Sequence, residues 1–331
     1  MIEQHLYPLR FEPIFQYRLW GGRRLGAWMD TALPGDDPIG EAWVLSDRDD
    51  HPSLVAEGRL KGRSLPRLMA QFKAPMLGRM ADRFDRFPLL LKFLDVHEML
   101  SVQVHPADAM AELLPKGETG KTEAWVVLEA DPTARIYAGL KPGATRDGLA
   151  TLTVKTVDDI LSSFTPVVGQ AVLIEAGTVH SLGDGAMVFE VQENSDVTFR
   201  LYDWGHLDAK TGKPRDIQVG QALACINLDQ GRIAPVEALV LETAPFLKEQ
   251  VIDTSHFQVT RFSGAAPFPV GARDEPRILV CLAGGGQIAY EGSHYALRRG
   301  GVMLLPASVG PCRFSPDGDV ILLEIAVPDA P

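Results

Sequence analysis

From Gly169 to Val191 the chain reads as Val172-Leu173-Ile174, a turn at Glu175-Ala176-Gly177, Val179-His180-Ser181-Leu182, a second turn at Gly183 to Gly185, and a last apolar run from Met187 to Val191. Apolar stretches this short, broken this regularly by glycine, leave no length for a helix to bury a face. They pair instead as strands, in the rhythm of a sandwich or barrel. The same rhythm returns from Ile278 to Phe314. A mainly β chain with two such units is expected, and its 331 residues suit two domains at roughly 150 residues each. The boundary falls in the polar connection before residue 236. Residues 1–235 then form a β unit with short helical insertions, and residues 236–331 a second, all-β unit.

The stretch Pro88 to Asp108 carries the first sign of chemistry. Leu89, Leu90 and Leu91 read as a buried strand. From Leu100 to His105 the pattern alternates, so Ser101, Gln103 and His105 project to one face, and Leu100, Val102 and Val104 to the other. A Gln and a His two residues apart on a strand are placed to meet a common ion. Neutral imidazole is the commonest protein ligand for zinc, and a Gln carbonyl oxygen is a weaker partner that needs stronger ligands beside it. Glu123, at the entry of the run Ala124 to Leu128, and His180, after its glycine turn, complete the set. Two imidazoles, one carboxylate and one amide oxygen leave a zinc ion partly charged and open to water or substrate, a catalytic pattern more than a structural one. Structural zinc sites favour thiolates, and Cys225, Cys281 and Cys312 all lie far from these stretches.

Elsewhere the sequence predicts an extended segment at Tyr7 to Phe11 and a turn at Trp20-Gly21-Gly22. Glu41 to Ser46 reads as a strand with Glu41, Trp43 and Leu45 on one face, and Glu41 is expected in solvent because Glu is seldom fully buried. Leu65, Leu68, Met69 and Phe72 recur at helical spacing until Pro75. Lys92 either reaches solvent or enters a cavity as an anion partner. A short helix is expected from Pro106 to Leu114, with Asp108, Glu112 and Lys116 solvated. Trp125 to Leu128 and Ile136 to Ala138 read as a strand pair across Asp131-Pro132. Helices are expected at 146–150, 157–163 and 219–225. In the second unit Ser308-Val309-Gly310 stands where the first has His180, so that half is expected to be metal-free, with His256 and His294 as lone histidines.

A formal net charge of −11 disfavours nonspecific binding to nucleic acid or to an anionic membrane. Three scattered cysteines suit a reducing compartment without a disulfide framework. The opening MIEQHLYPLRF has no leader signature, and no uncharged run approaches the roughly 18 residues of a membrane span. A cytoplasmic protein is expected.

The segments LLLKFLDVHEMLSVQVHPAD, GKTEAWVVLEA, AGTVHSLGDG and ENSDVTFRLYDW, in this order, resemble the type I phosphomannose isomerases, particularly the short bacterial form. The resemblance runs from about Trp20 to Trp204, with a weaker match of the terminal β unit to the family's second cupin domain. It implies a cupin (jelly-roll) double-domain fold with inserted short helices, a catalytic domain at 1–235 and a metal-free cupin-like domain at 236–331. It also implies one zinc per chain and interconversion of mannose 6-phosphate and fructose 6-phosphate. The family's zinc ligands fall on Gln103, His105, Glu123 and His180, its lysines on Lys92 and Lys121, its serine on Ser101, its active-site Asp and Arg on Asp196 and Arg200, and its early acid on Glu41. Longer members carry a His before the lysine of the Glu motif, where Gly120 stands here, so that His cannot be the base in this chain. Glu175 replaces a proline often seen before the Ala-Gly turn, a small change to the turn.

Aldose–ketose interconversion moves a proton between C1 and C2 through an enediol. Arg200 and Lys121 are expected to stabilise the charge on oxygen, and Glu41, Asp196 or Lys121 to move the proton. Lys92 and Ser101 are expected to hold the phosphate, with Arg23 or Arg24 as helpers. A non-catalytic sugar-phosphate-binding cupin and an iron-dependent cupin dioxygenase are the alternatives. Intact Lys121, Asp196 and Arg200 argue against the first, and Gln103 against the second.

Overall fold

The strand Leu89–Val96 is buried along its whole length, because apolar residues occupy both of its faces. Leu89, Leu91 and Phe93 join one core, and Leu94 and Val96 another. A strand of this composition belongs inside a stack of sheets. In the computed structural model, which describes residues 5–328, it is the third strand of a six-stranded antiparallel sheet. That sheet runs in the order Ile14–Gly22, Ile39–Leu45, Leu89–Val96, Ala186–Glu193, Glu123–Ala130, Ala171–Ile174. Met1–Gln4 of the N-terminal stretch read for a leader lie outside the described residues.

One face of this sheet packs on a five-stranded sheet ordered Phe199–Tyr202, Val102–Val104, His180–Gly183, Arg135–Leu140, Leu161–Phe164. Trp125, Val127 and Val188 from the first meet Ile136 and Leu182 from the second. The other face meets a seven-stranded sheet through Phe93, Val126 and Phe189 on one side and Val259, Ile278 and Leu323 on the other. A four-stranded sheet closes the stack over Phe262, Leu279 and Leu322. The protein is therefore mainly β with a cupin-type fold, as expected, and its four sheets stack as two sandwiches. The seven-stranded sheet draws its first strand, Leu9–Arg10, from the N-terminus, paired with Leu304 and Met303. The helices Arg146–Ala150 and Val219–Cys225 form where the sequence places them, and Val157–Ile160 is shorter than expected, since Leu161 starts a strand. All three cysteines are free. No helix among the described residues is long and apolar enough to cross a membrane.

Several local expectations are corrected. Trp20-Gly21-Gly22 is not a turn but the end of the strand Ile14–Gly22; a Cβ on Gly21 would stand 2.3 Å from Gly40 N, so the glycine serves backbone contact between strands. The helix Leu65–Leu77 breaks at Phe72 and resumes through Pro75, which relieves the clash of a proline ring with the carbonyl four residues earlier. Residues 106–114 form successive turns and no helix, with Met110 N bonded to Ala107 O and Leu113 N to Met110 O. Glu123–Ala130 and Arg135–Leu140 do not pair. The turn closed by Ala134 N on Asp131 O carries the chain from one sheet to the facing one.

Candidate active site

Strand alternation and register bring the site together. Across the six-stranded sheet, Trp43, Lys92, Glu190 and Trp125 stand side by side in register. Gln192 and Glu123 form the neighbouring pair. Across the facing sheet, Arg200, Gln103 and His180 stand in register. These two rows face each other inside the first sandwich, over a cavity of about 460 Å³. Glu41, Lys92, Ser101, Gln103, Lys121, Asp196 and Arg200 line it, and the buried group His105, Glu123 and His180 lies behind that lining, touching it through Lys121 and Gln103.

In that group His105 Nε2 lies 3.3 Å from Glu123 Oε2, and His180 Nε2 3.4 Å from Glu123 Oε1. Each ring's Nδ1 is 2.9 Å from a backbone carbonyl, that of Val197 for His105 and of Thr178 for His180. An Nδ1–H donating to these carbonyls leaves both Nε2 lone pairs aimed at the carboxylate, the outer support that metal-ligating histidines ordinarily have. Burial pushes both imidazoles down, His180 to about 3. Burial alone would raise the Glu123 carboxyl, but Lys121 and His105 hold it well below its ordinary value. Neutral imidazoles and an ionised carboxylate are the forms that bind metal. Among the described residues Glu123 Oε1 and His105 Nε2 are buried without a hydrogen bond, Glu123 Oε2 faces the Lys121 ammonium, and the three donor atoms lie within 4.8 Å of one another. This group can hold a metal ion.

Gln103 turns its Nε2 toward His180 Nε2 at 3.2 Å and accepts from Ser101 Oγ at 3.0 Å through Oε1. Ligation through Oε1 needs only that the amide turn over, since the Ser101 hydroxyl accepts as readily as it donates. Ser101 thus orients Gln103 while lining the cavity.

The rest of the wall is a lattice of charges. Lys121 Nζ sits 2.8 Å from Glu123 Oε2. Burial would lower its pKa, but the carboxylates of Glu123 and Glu190 push it up, against the lowered value expected of a lysine base. Lys92 lies 3.4 Å from Glu190 and 3.7 Å from Asp196, with its ammonium over the Trp43 ring. Glu41 is buried, contrary to expectation, and accepts from Trp43 Nε1 at 2.7 Å and Arg18 at 2.9 Å. Burial would raise its carboxyl, but Arg18, Lys92 and the indole hold it at about 2. Among the cations lining the cavity, Arg200 has no carboxylate at ion-pair distance within the described residues, and its Nε is buried without a partner. Burial and the neighbouring Arg215 lower its pKa.

Arg23 and Arg24 do not reach the cavity. Arg23 donates to the carbonyls of Gly35 and Asp37, and Arg24 to buried Asp95. Sequence reasoning also missed Arg18 and Glu190. Glu190 accepts from Trp125 Nε1 at 2.9 Å, its Oε1 lacks a hydrogen bond, and burial and then Glu123 raise its pKa. The alternation Val188, Glu190, Gln192 in a buried strand was the available signal. Arg18 was hidden by reading the end of its strand as a turn.

A family model for the catalytic domain of type I phosphomannose isomerase matches residues 9–124. The mannose-6-phosphate isomerase ManA of Bacillus subtilis (strain 168) is 32% identical over 309 residues, 92% of this chain and 94% of its own length. A mannose-6-phosphate isomerase of Streptococcus mutans serotype c is 30% identical over 325 residues, 95% and 97% of the two chains. The crystal structure of the mannose 6-phosphate isomerase from Bacillus subtilis matches with a TM-score of 0.85 at 28% identity, over 97% of this chain and 99% of that one.

Proposed function

Since the chain belongs to the type I phosphomannose isomerase family, we propose that it interconverts mannose 6-phosphate and fructose 6-phosphate through an enediol, with one Zn²⁺ held by Gln103, His105, Glu123 and His180. The observation that carries this reading is the buried His105–Glu123–His180 group, its Nε2 atoms turned to one carboxylate, next to a cavity whose wall carries Arg200, a guanidinium with no ion pair among the described residues. When bound, the ion would supply a Lewis acid to the sugar oxygens O1 and O2.

The protein's own groups do the remainder. The substrate's fixed charge is the phosphate, for which Lys92 and Ser101 offer a cation and a hydroxyl. Charge that develops on O1 or O2 is met by Lys121 and Arg200, and donors aimed at such charge in a water-poor cavity contribute several kcal/mol. Moving the proton between C1 and C2 needs a carboxylate that accepts one readily. Glu41, held at about 2, is better suited to fixing Arg18 and Trp43. Glu190 and Asp196 both line the cavity at ion-pair distance from Lys92, and we propose that one of these two carboxylates moves the proton while the other holds Lys92. Residues 1–235 are proposed as the catalytic domain and 236–331 as a β domain that supplies no ligand.

A coupled assay of mannose 6-phosphate isomerisation tests the proposal. Chelation is expected to abolish turnover and Zn²⁺ to restore it, with one zinc per chain on metal analysis. Full activity in metal-free protein would overturn the metal role, and absence of activity in the zinc-loaded protein would overturn the isomerase reading.

A further inference from the structure

The loop that delivers Lys121 and Glu123 is pinned residue by residue. Ser195 Oγ donates to Thr119 O at 2.8 Å, Asp108 Oδ1 accepts from Gly120 N at 2.6 Å, and Lys121 N donates to Pro106 O at 3.0 Å. Glu193 Oε2 accepts from Thr122 N at 2.8 Å. The first three pins end within the same sandwich. The fourth continues, because Glu193 Oε1 lies 3.0 Å from Nδ1 of His256.

His256 belongs to the other half of the molecule, in the turn between the strands Leu247–Asp253 and Gln258–Gly264 of the seven-stranded sheet. That turn is built around one hydroxyl. Thr254 Oγ1 accepts from His256 N and Phe257 N at 3.2 and 3.0 Å and donates to Phe257 O at 2.8 Å. Phe257 is fully buried in the core shared by the two sandwiches. The imidazole is thus presented from a fixed backbone. The charged groups around it are Glu193 and Asp108, which favour its cation, and Arg83, which opposes it. Glu193 dominates and raises the His256 pKa against partial burial.

We propose that His256 is a positioning residue for the reaction: it holds the Glu193 carboxylate, which holds the Thr122 amide, so that the flanking Lys121 and Glu123 enter the site from a fixed main chain. The second sandwich would then act on the first without touching substrate or metal. The inference rests on the isomerase reading for its kinetic consequence but not for its structural one.

The test compares zinc-loaded wild type with His256→Ala and His256→Gln, the second keeping a donor. The readouts are hydrogen exchange of a peptide spanning 117–124, steady-state kinetics with mannose 6-phosphate, and Tm. In His256→Ala, exchange in that peptide should rise about tenfold while distant strands are unchanged. Its kcat should fall about fivefold with KM within about twofold, as for loss of an aligned group. His256→Gln should recover most of both. Unchanged exchange at 117–124 in both variants would overturn the proposal, as would a rise spread evenly over the molecule with a matching fall in Tm. If His256→Ala fails to fold, the Gln variant decides: near-wild-type exchange and kcat support the clamp, and loss of either overturns it. Inactive wild type would overturn the isomerase reading alone, leaving the exchange result to judge the clamp.

Discussion

The two sandwiches share a frame and fill it differently. In the first, inward positions carry Lys92, Glu190 and Gln103 around an open cavity, with Glu123 buried beside it. In the second, the corresponding space is packed with rings: Phe268 stacks on Phe262 at 4.7 Å and on Phe314 at 5.3 Å, with Phe246 against both Phe262 and Phe268. The glycine turn that delivers His180 in the first half has as its counterpart Pro306-Ala307-Ser308, whose amides at Ala307 and Ser308 bond to Met76 and Pro75 on the broken helix. One sandwich interior holds charges that must be paired one by one, and the other holds surfaces that need only fit. The difference teaches that a jelly-roll interior is a position and not a function, and that side-chain chemistry on alternate residues decides its use.

That contrast can be broken or sharpened by substitution on each side. The largest effect is expected at Glu123, where Glu123→Gln should cut kcat by at least about 10³-fold, or about 4 kcal/mol, and metal analysis should show most of the zinc lost. Retained zinc with retained activity would break the division between the two interiors. Next comes Phe268→Ala, which should lower unfolding free energy by about 3–4 kcal/mol in urea titrations while the folded enzyme keeps its kcat and zinc content. A fall in kcat of folded protein would show that the aromatic core reaches the site.

Third is a pH effect that only the charged interior should display. The Glu41 carboxyl has an ordinary value of 4.5 and titrates at about 2 in the folded chain. Its stabilisation is therefore fully present above the ordinary value and lost as pH falls toward and through the folded one, about 2 kcal/mol of it by pH 3. Urea unfolding at pH 7 and pH 3 should show a smaller drop for Glu41→Gln than for wild type, and equal drops would remove the Arg18–Glu41–Lys92 network as the cause. Smallest is Lys92→Ala, expected to raise KM for mannose 6-phosphate about tenfold and leave the weak binding of unphosphorylated mannose nearly unchanged. Equal losses for both sugars would place Lys92 in the scaffold.

Much of the site was legible because it follows strand alternation. Gln103 and His105 announce themselves by two-residue spacing, and Glu123 and His180 by their places at strand starts. What escaped depends on which strands become neighbours. Glu190 lines the cavity only because its strand lies between those of Lys92 and Trp125, a register that local sequence does not encode. Glu41 looked solvated because the arginine that makes its burial tolerable is on another strand, 23 positions earlier. His256 looked solitary for the same reason, its partner lying across the junction of the two halves. The strand pair wrongly expected across Asp131-Pro132 fails because a short loop between strands can lead to the facing sheet as easily as to the adjacent one. The absent helix at 106–114 reflects Asp108 serving Gly120 N in place of a helix terminus.

The shared wall between the cores also sets the kind of genetic change this protein can absorb. In Leu89–Val96, Lys92, Leu94 and Val96 serve the first interior, and Leu89, Leu91 and Phe93 the junction with the second sandwich. Deleting or inserting one residue there would send Lys92 into hydrocarbon and Phe93 into the cavity, exchanging every contact downstream at a stroke. Point replacement is available to such a strand, whereas a change of length is not. Insertions and deletions are therefore confined to exposed connections such as 141–143, where a residue more or less alters no parity.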